Sequence, residues 1–275
     1  MFNEEVQQAL AYGVILSVGV LHGANDLTLI RITSFKKNKS LSFNKVLVYY
    51  VLTVLVILAV FFIYPALALF LFLVISSFHF GEQHLREKIK EESLLSKMAY
   101  FFYGLTILFM IFNFNINKTL PIFLEVTELP IPKSFFEITF VIAVIGLVIT
   151  FTSLMLKKQI RVNLVEEIFQ LLVLMLVFRV ADLLWAFSIY FVLWHSIPSL
   201  KDQIEVLHGK AEVKGIKKYL KSSWIYWLSS LIGLVVLYFI FKDDSEFFVS
   251  ILIYFLAAIT FPHVIVMSRL EKVKN

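Results

Sequence analysis

The chain has no cysteine. That excludes disulfides, thiolate zinc sites, iron–sulfur clusters and thiolate-ligated haem. Charge is also scarce: 16% of the 275 residues are Asp, Glu, Lys or Arg, where about 25% is usual for a soluble protein. With nine glycines and six prolines the chain is neither collagen-like nor a low-complexity coil. The start, Met1-Phe2-Asn3-Glu4-Glu5, lacks the basic stretch of a signal peptide, so the first apolar segment is expected to be retained as a membrane span. There is no lipidation motif and no nucleic-acid motif, and no nucleic-acid partner is expected.

What the chain has is apolar surface. Hydrophobic residues make up 60% of it, including 29 Phe, and the mean hydropathy is +0.86. No soluble fold of this length has an interior large enough to hide that much. The expected fold is all-α, a polytopic transmembrane helix bundle forming one integral membrane domain over residues 1–275. A span needs about 20 apolar residues. Nine are read, at 8–24, 46–63, 65–83, 98–115, 134–156, 164–179, 182–199, 224–241 and 247–267, with eight or ten as the alternatives. Arg179-Val180-Ala181-Asp182 is the weakest boundary.

Lysine and arginine set the orientation. All but four of the 25 (Lys118, Lys133, Arg179 and Lys242) fall in alternate loops or in the C-terminal tail. The positive-inside rule then places the N-terminus outside and the C-terminus in the cytoplasm of a multi-pass plasma (inner) membrane protein.

Six histidines are present. Ionisable residues inside spans are costly and mark function by default. In this topology His22, His79, His195 and His263 lie near the cytoplasmic ends of spans one, three, seven and nine. The next basic residues are Arg31, Arg86, Lys201 and Arg269. Most of these offsets are six or seven residues, about 10 Å of helix, so four helices deliver histidines at nearly one depth. A single intramembrane histidine is commonly a helix–helix hydrogen-bond partner. Four at one level point instead to a shared site, and imidazole suits Zn, Cu, Fe or Ni.

Asp26, four residues after His22, shares its helical face if the helix continues, and Glu82, three after His79, shares the face of that histidine. They are expected to orient them, or else to be interfacial carboxylates at helix ends. His84 is a poorer ligand unless the helix breaks at Gly81. His208, in the amphipathic loop at 200–223, is given no role. Phe78, Tyr190 and Trp194 stand near the histidines and are expected to wall a long, flat, apolar substrate, although many of the chain's aromatics must simply face lipid.

The motifs around these histidines resemble a known family. Leu21-His22-Gly23-Ala24-Asn25-Asp26 is similar to its P-H-G-A-x-D signature, with Leu for Pro. His79-Phe80-Gly81-Glu82 is similar to H-F-G-E, Trp194-His195-Ser196 to W-H-S, and Phe261-Pro262-His263 to its C-terminal P-H. The family is Brp/Blh, the membrane β-carotene 15,15′-dioxygenases that supply retinal to rhodopsins, and the resemblance spans residues 21–263. It implies an Fe(2+) enzyme that cleaves the central double bond of β-carotene with O2 to give two retinals, in the lipid bilayer, with a retinal-binding rhodopsin as downstream partner. His22, His79 and His195 correspond to its iron ligands. The family carries a further histidine four residues after that of W-H-S, where this chain has Ser199. His263 is expected to supply the fourth ligand, with His84 as the alternative.

Other classes fit less well. A di-iron desaturase needs about eight histidines in H-x-x-x-H boxes, and none is present. A b-type haem would need histidine pairs on its two faces rather than one layer. The alternatives are a non-catalytic carotenoid or retinal carrier, and a divergent paralogue acting on another apolar polyene.

Overall fold

The computed structural model describes residues 3–35, 42–241 and 245–274. Its secondary structure there is helical, with one isolated antiparallel bridge between Ile89 and Ile160. A lipid solvent favours this, because a helix satisfies every interior backbone group within its own segment.

Helix α1 (Glu4–Val14) runs into a π-helical turn (Ile15–Gly19), breaks at residues 22–25, and the chain resumes as α2 (Asp26–Phe35). Tyr64 alone separates α3 (Phe43–Ile63) from α4 (Pro65–Leu85). Pro65 opens α4, where a missing N–H costs nothing. Then come α5 (Leu94–Phe114), the amphipathic α6 (Ile116–Thr127), α7 (Lys133–Leu156), α8 (Leu164–Val180) and α9 (Leu183–Ile189). A second π segment (Tyr190–Ser196) joins α9 to α10 (Ile197–His208), and α11 (Val213–Phe241) and α12 (Ser245–Lys274) follow.

Seven segments among the described residues are long and apolar enough to cross a membrane. They correspond to seven of the nine expected spans. The expected span at 8–24 is interrupted, and the one at 164–179 forms α8, with 17 residues. Two boundaries differ from expectation. The seventh span continues as one helical rod from Leu183 to His208, and α11 begins at Val213, so most of the expected 200–223 loop is helix. The amphipathic pattern there is a helical face.

The chain falls into two compact units, one of residues through Ala11 with Phe70–Tyr190, the other of Tyr12–Leu69 with Phe191 onward. In the first, α5 is central and packs on α6, α7, α8 and α9. Its crossing with α4 is close. A Cβ on Gly81 would lie 1.8 Å from the Tyr100 carbonyl oxygen, and one on Gly104 would lie 1.9 Å from that of Ser77. Gly81 therefore serves helix packing, and α4 passes through it unbroken. The Gly81 break that a ligating His84 would require is absent. In the second unit α12 packs on α3 and α2, and α10 packs on α11 and α2. Leu29, Val266, Met267 and Leu270 form a buried apolar cluster there.

Candidate metal centre

Three of the expected ligands meet in the second unit. The side chains of His22, His195 and His263 each offer a nitrogen, and these nitrogens lie within 4.8 Å of one another. All three residues are buried. The His22 ring stands nearly perpendicular to the other two, with centroids 5.1 Å from His195 and 4.7 Å from His263. Metal–nitrogen bonds of about 2.1 Å hold two ligand nitrogens at most about 4.2 Å apart, so the rings would draw slightly closer around a shared ion.

The backbone near two of these histidines is irregular. His22 opens the break between α1 and α2, three residues past a π turn, and its Nδ1 bonds the Gly19 carbonyl within that turn. His195 lies inside the second π segment. The wider turn re-aims the following side chains and recurs at functional sites. Ser196 caps this one, its hydroxyl donating to the Phe191 carbonyl at 2.8 Å. Phe191 packs against both rings, 5.4 Å from His22 and 5.5 Å from His195, nearly parallel to the latter. Gly19 leaves room for it: a Cβ there would come within 2.8 Å of the Phe191 ring.

Asp26 is where the structure corrects the sequence reading. The break at 22–25 takes it off the face of His22. Its carboxylate instead accepts from His263 Nδ1 at 2.9 Å and from the Tyr50 hydroxyl at 3.0 Å. Nδ1 is thus engaged in both His22 and His263, and a metal-ligating histidine commonly makes such a bond through the ring nitrogen that does not bind the ion. The donor set, three imidazoles with a carboxylate behind one of them, fits a divalent transition metal.

A cavity of about 340 Å³ adjoins the cluster and is lined by His22, Asp26 and His263. Its apolar wall is Leu47, Val51, Val54 and Leu55 of α3, and its aromatic lining is Tyr50, Phe191 and Tyr226. The expected aromatics Phe78, Tyr190 and Trp194 are not among its lining residues. Phe78 meets Tyr100 edge-on, and Tyr190 packs between Phe80 and Phe178; all of these lie in the first unit. Trp194, beside His195, is partly exposed.

The other sequence candidates also lie in the first unit. His79 is buried in α4. Glu82 accepts from Arg86 at 2.8 Å. His84 Nε2 is 2.8 Å from Glu167 and 2.9 Å from Lys88, and its ring stacks on Tyr103 at 4.4 Å.

Sequence reasoning missed a set of polar groups around the break. Gln203 Nε2 donates to the His22 carbonyl at 2.7 Å, Tyr219 donates to Gln203 Oε1 at 2.8 Å, and Asn25 Nδ2 donates to the Tyr219 carbonyl at 3.2 Å. The one sequence signal for Gln203 was its position two turns after His195.

No curated protein and no solved structure gives a significant match to the chain. The family model for beta-carotene 15,15'-dioxygenase matches residues 14–271, an interval that contains every histidine of the cluster. The chain therefore belongs to the beta-carotene 15,15'-dioxygenase family.

Proposed function

We propose that this protein cleaves β-carotene at its central double bond with O2, giving two molecules of retinal, on an Fe(2+) ion held by His22, His195 and His263. The convergence of three buried histidines beside an apolar cavity, in a chain of this family, carries the reading. His79 is proposed as a fourth ligand on the sequence argument alone, from its motif and its depth.

A bound ferrous ion supplies the site's redox chemistry toward O2. The chain's own residues hold and shape. Asp26 fixes the His263 ring through Nδ1, and the Gly19 carbonyl does the same for His22. Phe191 presses on two of the rings. The aliphatic side chains of α3 keep water from the cavity and position one stretch of the polyene, so that geometry selects the bond that breaks. The reaction balances without a proton: the carbon–carbon double bond opens and each carbon keeps one oxygen atom as an aldehyde. No general acid is required.

Substrate and products are lipid-soluble, which accounts for a multi-pass protein of the plasma membrane, and a retinal-binding rhodopsin is the natural recipient. We propose the nine-span topology with the C-terminus in the cytoplasm. A C-terminal fluorescent fusion should then shine, and a periplasmic reporter at the same end should stay silent; the reverse would overturn it. The activity is tested by expressing the chain in a β-carotene-producing cell and extracting the pigments. Retinal should accumulate as β-carotene falls. Carotenoid that copurifies uncleaved with iron-free protein would favour a carrier instead.

A further inference from the structure

A helix that breaks inside a membrane exposes backbone carbonyls that lipid cannot satisfy. After the break at 22–25, Gly23 N bonds the Val20 carbonyl, Ala24 N that of Leu21, and Asp26 N that of Gly23. The His22 carbonyl instead accepts from Gln203, fully buried on α10, at 2.7 Å, with the Tyr219 hydroxyl farther off at 3.4 Å. The remaining amide groups of Gln203 are used as well: Nε2 also reaches Ser199 Oγ at 3.2 Å, and Oε1 accepts from Tyr219. An amide held by three hydrogen bonds, two donated and one accepted, has one orientation. The far end of the break is held from α11, where Asn25 donates to the Tyr219 carbonyl and accepts from Ser222 at 2.9 Å.

We propose that Gln203 is a positioning residue of the metal centre. It sets the height and rotation of His22 and couples them to the rod that carries His195. This rests on the reading of His22 and His195 as metal ligands. Gln203 grips the backbone of one ligand and stands two turns beyond the other on a continuous helical rod. A shift at this bond therefore alters the separation of two ligand nitrogens directly, and a metal site tolerates only a few tenths of an ångström. Ser199 takes part through its size and hydroxyl. It is a small side chain, fully buried and bonded to Gln203.

The test uses the full-length protein in detergent, with Co2+ as the probe because its visible spectrum reports ligand geometry. The variants are Gln203→Met, similar in volume but unable to hydrogen-bond, Gln203→Glu, and Asn113→Leu. Asn113→Leu removes a comparable pair of bonds, to the Phe109 and Phe136 carbonyls, in the first unit. Gln203→Met should weaken Co2+ binding by at least about tenfold and change the spectrum, and Gln203→Glu, whose ionised carboxylate cannot donate to the His22 carbonyl, should do the same. Asn113→Leu should lower the melting temperature of the metal-free protein but leave affinity and spectrum alone. If Gln203→Met does not fold, Tyr219→Phe, which frees Oε1 and removes the longer hydroxyl contacts to the Leu21 and His22 carbonyls, should weaken binding in the same direction. Wild-type affinity and spectrum in Gln203→Met, or in Tyr219→Phe where that stands in, would overturn the proposal. Co2+ binding retained by His195→Ala would instead bring down the metal reading, and this proposal with it.

Discussion

His84 and His263 are both buried or nearly buried histidines beside a carboxylate, yet their surroundings differ in kind. Around His84, in the first unit, Lys88 reaches both the ring nitrogen and Glu167. A cation already neutralises that carboxylate, and His84 Nε2 is taken by these partners. Around His263, in the second unit, Asp26 meets a neutral hydroxyl and a ring Nδ1, and the neighbouring groups are two further imidazoles. No Lys or Arg lines the adjoining cavity among the described residues. A buried carboxylate without a nearby cation is costly, and a divalent ion on the histidines would relieve that cost. The comparison teaches that a histidine beside an acid is pinned when a lysine completes the group, whereas one beside further histidines belongs to a set that could hold an ion.

The largest expected effect comes from the ligands. His22→Ala or His195→Ala should reduce bound iron and retinal formation to background, as read by metal analysis and pigment extraction. His79→Ala should do the same if the depth argument from the sequence holds. Full iron in His79→Ala would confine the ligand set to the second unit.

Next is Asp26→Asn, which keeps the shape but removes the charge that His263 Nδ1–H meets. Metal affinity should fall by roughly 10- to 100-fold, measured by titration of the metal-free protein. An unchanged affinity would mean that Asp26 does not orient His263.

Tyr50→Phe should be the smallest of these. It deletes one of the two hydrogen bonds to Asp26 and leaves the His263 contact in place. Metal affinity should change by less than about tenfold, below the range for a group that bonds a ligand directly. A loss as large as that of Asp26→Asn would make Tyr50 the main support of the carboxylate.

Much of the helical framework is legible in hydropathy, because lipid demands long apolar runs whatever their partners. The spans at 46–63 and 134–156 agree with α3 and α7 to within three residues. His22, His195 and His263 were legible through depth and loop charge. Asp26 was legible as a residue but not in its partner: Gly23 and Asn25 mark the break at 22–25, yet do not say which distant side chain the carboxylate meets. The two π turns were invisible, because Ile15–Gly19 and Tyr190–Ser196 read as ordinary apolar helix. Gln203 and Tyr219 act on residues 181 and 197 positions away in the chain. Local periodicity reports which face a residue occupies, and says nothing of which distant carbonyl it meets. Phe191 was one aromatic among many until the π turn set it against His195.

The most direct test of the central claim is the iron content of two purified variants, His263→Ala and His84→Ala, measured side by side with the thermal stability of each. The histidine cluster in the second unit predicts that His263→Ala loses its iron. His84→Ala should keep its iron while losing about 1–3 kcal/mol of stability, the usual cost of unpairing a buried polar group. Iron retained in His263→Ala and lost from His84→Ala would contradict the account and move the metal to the first unit.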